Sequence, residues 1–192
     1  MALRNTPTRY GSIAVSLHWL TVLLVACAFL FIELKGEFPK GSYWRAALAS
    51  WHMQAGVTVL LLTLLRLIWR ALNPRTPAIM PTPSKAVTGL SHLAHFVLYL
   101  VLLALPILGF CMQGAAGKMV PWLGLSIPPL LSTQPELAQM LKNWHETLGT
   151  LFYWLIGLHA LAAIWHHWGV RDNTLLRMIP EHGGRRHQTQ SK

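Results

Sequence analysis

His18, His52, His145 and His159 each fall within or at the edge of a long apolar run. Imidazole is a poor core filler and a good metal ligand, so spacing decides what these residues can do. His145 and His159 are fourteen residues apart, about 21 Å along a helix and about 40° short of four full turns. Both therefore face one side of that helix at different depths. No single metal ion joins groups so far apart, but two stacked haems each use one. His52 lies early in a run descending from the outer side, and His18 early in a run rising from the inner side. The expected pairs are His52 with His145 in the outer half and His18 with His159 in the inner half. Imidazoles from facing helices hold b-type haem iron in this manner. His92 and His95, in "GLSHLAHF", share a face near the inner end of their run. His95 is the rival inner ligand, with His18 preferred. Gly56 and Gly149 follow His52 and His145 by one turn and permit close approach of a macrocycle.

The elements that must position these residues are membrane helices. The chain has 192 residues, 53% hydrophobic and 11% charged, against about 25% charged in soluble domains. Four stretches contain no Asp, Glu, Lys or Arg: Ile13–Ile32, Ala46–Leu65, Ala86–Gly117 and Thr147–Val170. Each can supply the roughly 20 residues that cross a bilayer, and backbone in lipid must be helical to satisfy its own hydrogen bonds. The expected fold is an all-α integral membrane four-helix bundle over residues 1–180, with a disordered cytoplasmic tail at 181–192. The third stretch is long for one span, and Pro106, Gly109 and Gly114 are expected to kink or end it. Span 2 is expected to end at Arg66.

Arginine and lysine set the orientation. With the N-terminus inside, Arg4, Arg9, Arg66, Arg70, Arg75, Lys85, Arg171, Arg177, Arg185, Arg186 and Lys192 lie inward, and Lys35, Lys40, Arg45, Lys118 and Lys142 outward. Both termini are therefore expected in the cytoplasm, and the net charge of +10 reflects topology and the lipid bilayer rather than nucleic-acid binding. "LVAC" at 24–27 resembles a cleavage box, but the apolar run continues through Ile32, so the first span is expected to be retained. Cys27 and Cys111 form no C-x-x-C or C-x-x-C-H, so any haem is expected to be non-covalent.

Residues 73–85, with four prolines, read as an extended linker. The outer segment 120–143 is expected to carry a short interfacial helix at Pro135–Asn143, with Ser132 or Thr133 near its start. Residues 171–180 are expected at the inner surface. His166 and His167 are interfacial, within reach of a haem propionate or quinone, while His182 and His187 in the tail are discounted as ligands. The competing use of intramembrane histidines is a proton or ion pathway in a haem-free transporter. Such pathways usually add Asp or Glu, which these stretches lack; Glu146 stands at the outer boundary.

The pieces "SLHWL", "WHMQAG", "GLSHLAHFVLYLVLLALPILG", "WHETLG", "IGLHALAAIWHHW" and "DNTLLRM" stand in order through most of the chain. With them the chain resembles the bacterial cytochrome b561 family of small four-helix di-haem membrane proteins, which includes superoxide oxidase. The resemblance implies two haem b groups with axial ligands His18, His52, His145 and His159, in the inner membrane. It also implies an oxidoreductase that takes electrons from superoxide at the periplasmic face and gives them to ubiquinone. Related cytochrome b subunits serve hydrogenases and formate dehydrogenases, so a quinone-reducing anchor for a dehydrogenase partner is the alternative. Superoxide is an anion, and the outer cations, Lys118 and Lys142 above all, are candidates for steering it.

Overall fold

The structure is a computed structural model and describes residues 2–179; the tail proposed at 181–192, with His182 and His187, lies outside them. Four helices are long and apolar enough to cross a membrane: α1 (Ser12–Gly36), α2 (Tyr43–Leu72), α3 (Lys85–Ala115) and α4 (Pro135–Trp165). Ser42 caps α2 by accepting from the Arg45 amide, and Ser84 caps α3 by accepting from the Val87 amide, each relieving an unpaired first-turn donor. Within the spans Thr21, Thr58, Thr63 and Thr150 donate to the carbonyl four residues earlier, which lets a hydroxyl sit in an apolar layer.

Three boundaries correct the sequence reading. Span 2 does not end at Arg66: α2 continues to Leu72, because Arg and Leu favour helix and Arg66 finds a partner inside the bundle. Neither Pro106 nor Gly109 ends α3, which runs to Ala115; membrane helices tolerate proline where neighbours satisfy the released groups. The short helix expected at Pro135–Asn143 is not separate from span 4. Pro135 opens a single helix that reaches Trp165, since no Gly or Pro interrupts residues 136–148.

The sequence reading did not foresee a small antiparallel hairpin, β1 (Val120–Trp122) with β2 (Leu125–Ile127). Its two-residue turn places Leu123 and Gly124 at φ 48° and 80°, the twist that suits a tight hairpin. Trp122 Nε1 donates to Thr58 Oγ1 at 3.1 Å and the Leu123 amide to Gln54 Oε1 at 3.2 Å, docking the hairpin on α2.

α1 packs along α2, α3 along α4, and α2 against α3. A thin core of Val59, Val101, Leu102 and Phe152, flanked by Leu24, Val25 and Phe29, fills the middle of the bundle. Outward, large apolar side chains such as Leu158 and Trp154 are open, at 65% and 73% exposure; lipid is the environment that accommodates such a surface. One end, here called the hairpin face, carries the α1–α2 loop and the hairpin. The other, the terminal face, carries both ends of the described chain and the α2–α3 linker. That linker is not a free tether. The Ala78 amide donates to Pro7 O and the Met80 amide to Asn173 Oδ1, while Asn5 Nδ2 reaches Arg75 O, so three chain segments are tied into one cap.

Candidate functional site

The core layer separates two groups of histidines. Toward the hairpin face, His52 of α2 and His145 of α4 stand with ring centres 6.2 Å apart and planes at 84°. Each ring is fixed from behind by backbone. His52 Nδ1 is 2.8 Å from Ala28 O on α1, and His145 Nδ1 is 3.0 Å from Leu105 O on α3. A carbonyl accepts only, so each Nδ1 carries the proton and each Nε2 keeps its lone pair. This is the tautomer a ligating histidine needs. α3 comes closest at Gly109, where an added Cβ would lie 3.1 Å from His145 Cε1.

Toward the terminal face the arrangement differs. The His159 ring of α4 lies against that of His95 of α3, with centres 5.5 Å apart at 87°. His95 Nδ1 is 2.6 Å from Ser91 O. His18 of α1 makes its direct polar contact with Arg66 Nη2, 3.2 Å from Nδ1. The structure thus brings His52 to His145, brings His95 to His159, and sets His18 beside Arg66 in the same group. His92 and His95 are both exposed, and of the two it is His95 whose ring meets that of His159.

The residues fit haem. His52 and His145 would hold the haem iron between them, since their rings meet from separate helices and each offers a free Nε2. An added Cβ at Gly56 or Gly149 would meet no protein atom within 4 Å. Among the described residues no group of three or more His, Cys, Asp or Glu is placed to hold a bare metal ion.

The candidate steering residues sit at the hairpin face, in different states. Lys118 is exposed. Lys142 is paired with Glu146, Nζ to Oε1 at 3.1 Å, which cancels most of its reach. Lys35 and Arg45 instead line a cavity of about 280 Å³ with Gly41, Ser42, Ala46 and Ala49. The Arg45 guanidinium is anchored there by the carbonyls of Lys35 and Phe38 at 3.0 and 2.8 Å.

Two features escaped the sequence reading. Arg66 reads in the sequence as the inner end of span 2; its i, i+4 spacing to Arg70 in an otherwise apolar stretch is the signal that the helix goes on. Asp172 was not singled out. It is buried after the π-helical turn His166–Val170 and lies 2.6 Å from His166 Nδ1. Burial raises its pKa, but hydrogen bonds from His166 and Thr174 outweigh burial and hold the carboxyl below its usual range.

Membrane-length helices that present facing imidazoles at two depths define a membrane-bound cytochrome of the b type. The family model described as prokaryotic cytochrome b561 matches residues 9–181, and the chain belongs to that family. It is 39% identical over 178 residues to a protein of Yersinia pestis named probable superoxide oxidase CybB, covering 92% of this chain and 98% of the relative. It is 38% identical to cytochrome b561 homolog 1 of Escherichia coli K12, covering 90% and 97%, and 28% identical to homolog 2 of the same strain, covering 93% and 95%. The chain is thus an electron-transferring, haem-binding, multi-pass prokaryotic membrane protein, which sets aside the haem-free transporter.

Proposed function

We propose that this cytochrome holds two haem b groups and oxidises superoxide at the hairpin face, facing the periplasm, while ubiquinone is reduced within the membrane. The carrying observation is the His52–His145 pair, two rings that meet from separate helices, each locked with its Nε2 free. The name of the Yersinia pestis relative supports the substrate, and the excess of cations inside supports the orientation, with both termini cytoplasmic.

In this reading His52 and His145 are the ligands near the hairpin face, and His159 with His18 those near the terminal face. A second reading, in which His95 replaces His18, is favoured by the His95–His159 ring contact and by the tautomers: His95 Nδ1 faces the Ser91 carbonyl and leaves Nε2 free, whereas His18 Nδ1 accepts from Arg66. Bound haem supplies the one-electron chemistry; the protein supplies position and electrostatics. Lys35 and Arg45 attract the superoxide anion to the hairpin face, with Lys118 adding to the local field and Lys142 contributing less beside Glu146. Two superoxide ions yield two O₂, and their two electrons with two protons convert one ubiquinone to ubiquinol. Stopped-flow spectroscopy on the purified protein tests this. Superoxide should reduce the haem, ubiquinone should reoxidise it, and O₂ should appear without the peroxide that dismutation makes. Haem that is reduced only by quinol or by a co-purifying dehydrogenase would transfer the assignment to the anchor-subunit reading.

A further inference from the structure

Arg66 is a cation within a membrane-spanning helix, six residues before the end of α2. Charges at such positions are costly unless paired, and among the described residues no carboxylate pairs with Arg66. The contrast with two other arginines is informative. Arg45 spends its donors on two backbone carbonyls, and Arg177 donates to Pro77 O over the Tyr10 ring. Among the described residues the contacts of Arg66 leave its charge uncancelled. They are His18 Nδ1 at 3.2 Å and the side chain of Tyr99, whose ring centre is 5.4 Å from the guanidinium carbon and which also shares a hydrogen bond with it; Arg70 lies 6.0 Å from the same ring. A guanidinium has five N–H donors in a fork that matches a carboxylate, and the contacts with His18 and Tyr99 do not use them all.

We propose that Arg66 is the counter-charge for a propionate carboxylate of the haem held near the terminal face. This rests on the di-haem reading above. The surroundings define the ligand chemistry: an anion with paired oxygens, brought beside His18, His95 and His159, where no acid among the described residues pairs with Arg66. A haem propionate meets this description and would arrive with the iron held by His159 and one of the other two imidazoles. A lipid phosphate shares the chemistry but not the connection to the histidines. Arg66 is then a positioning residue. It fixes the porphyrin's edge and, as a nearby positive charge, favours the reduced haem.

The test compares wild-type holoprotein with Arg66→Gln and Arg66→Lys by redox titration and resonance Raman spectroscopy. Arg66→Gln should lower one haem's midpoint by about one tenfold step in the one-electron equilibrium, ~59 mV. It should also move that haem's propionate bending band to lower frequency. Arg66→Lys should keep most of the midpoint while still moving the band, because a point charge does not reproduce the fork. If Arg66→Gln does not retain the haem, the Lys variant carries the test through its band. A midpoint shift with an unmoved band means that Arg66 acts through His18, and the inference fails. An unmoved band together with loss of co-purified anionic lipid assigns the site to a headgroup, and again it fails. Wild-type protein without two haems would instead sink the reading on which it rests.

Discussion

The two histidine groups are built on different terms. Near the hairpin face two imidazoles, each tied to a carbonyl of a third or fourth helix, leave little choice of partner. Near the terminal face three imidazoles and an arginine occupy one neighbourhood, and the ring contact and the Arg66 contact divide them differently. The first is specified by backbone geometry and carries no formal charge of its own. The second carries a fixed positive charge. On the proposed account this difference is functional: a neutral, rigid tier accepts electrons from an outer anion, and a positively charged tier draws them inward.

The sharpest way to break this contrast is to remove ligands. His52→Ala and His145→Ala should each lose one haem per chain, and the same one, as measured by pyridine haemochrome on purified protein. His159→Ala should lose the other. At the crowded end His18→Ala should share the His159 phenotype while His95→Ala keeps both haems; the reverse result would exchange the inner ligand.

A smaller perturbation sharpens the rigidity of the first tier. Gly109→Ala adds a Cβ 3.1 Å from His145 Cε1, tighter than ordinary contact. It should tilt the ring and weaken its bond to Leu105 O. The g-values of one low-spin haem should change in an EPR spectrum while the other signal stays fixed. Equal changes in both would mean that the tiers are not independent.

Charge reversal at the entrance comes next. Lys35→Glu should slow superoxide-driven haem reduction, and raised salt should slow the wild type in the same sense, since steering of this kind contributes about tenfold or more and is screened. Lys118→Glu should act more weakly and Lys142→Glu weakest, because Glu146 already cancels it. Reduction by quinol should be unchanged in all three. Equal effects from Lys35 and Lys142 would contradict the cavity as the point of approach.

The smallest effect belongs to the terminal cap. Asp172 is lowered from its ordinary value near 3.8, so it stabilises the fold above that pH and loses this contribution as pH falls through the lowered value. Asp172→Asn should lower the thermal midpoint at neutral pH, by about 1.5–3 kcal/mol in stability for a lost charge-assisted hydrogen bond. The difference from wild type should vanish in strong acid.

Much of this was legible in the chain. Uncharged stretches announced four spans because lipid admits little else, and the fourteen-residue step from His145 to His159 follows from helix geometry alone. His52 could be matched to His145 by depth. What stayed hidden depends on contacts between distant segments. Arg66 reads as the end of a span until His18, 48 positions away, shows why the helix can carry it further. The hairpin was missed because Leu123 is a poor signal for a left-handed turn, with only Gly124 to mark it. Asp172 matters because the chain turns back after His166, a bend no periodicity records. The sequence favours His18 over His95 by depth alone, and depth along a helix does not give rotation about it.

The central claim is that two tiers each hold a haem, and a reduced-minus-oxidised spectrum with haem quantification on the purified chain tests it most directly. The account predicts two haem b per chain, both removed by acid–acetone because no C-x-x-C-H is present. One haem per chain in fully loaded protein, or haem that resists extraction, would contradict it.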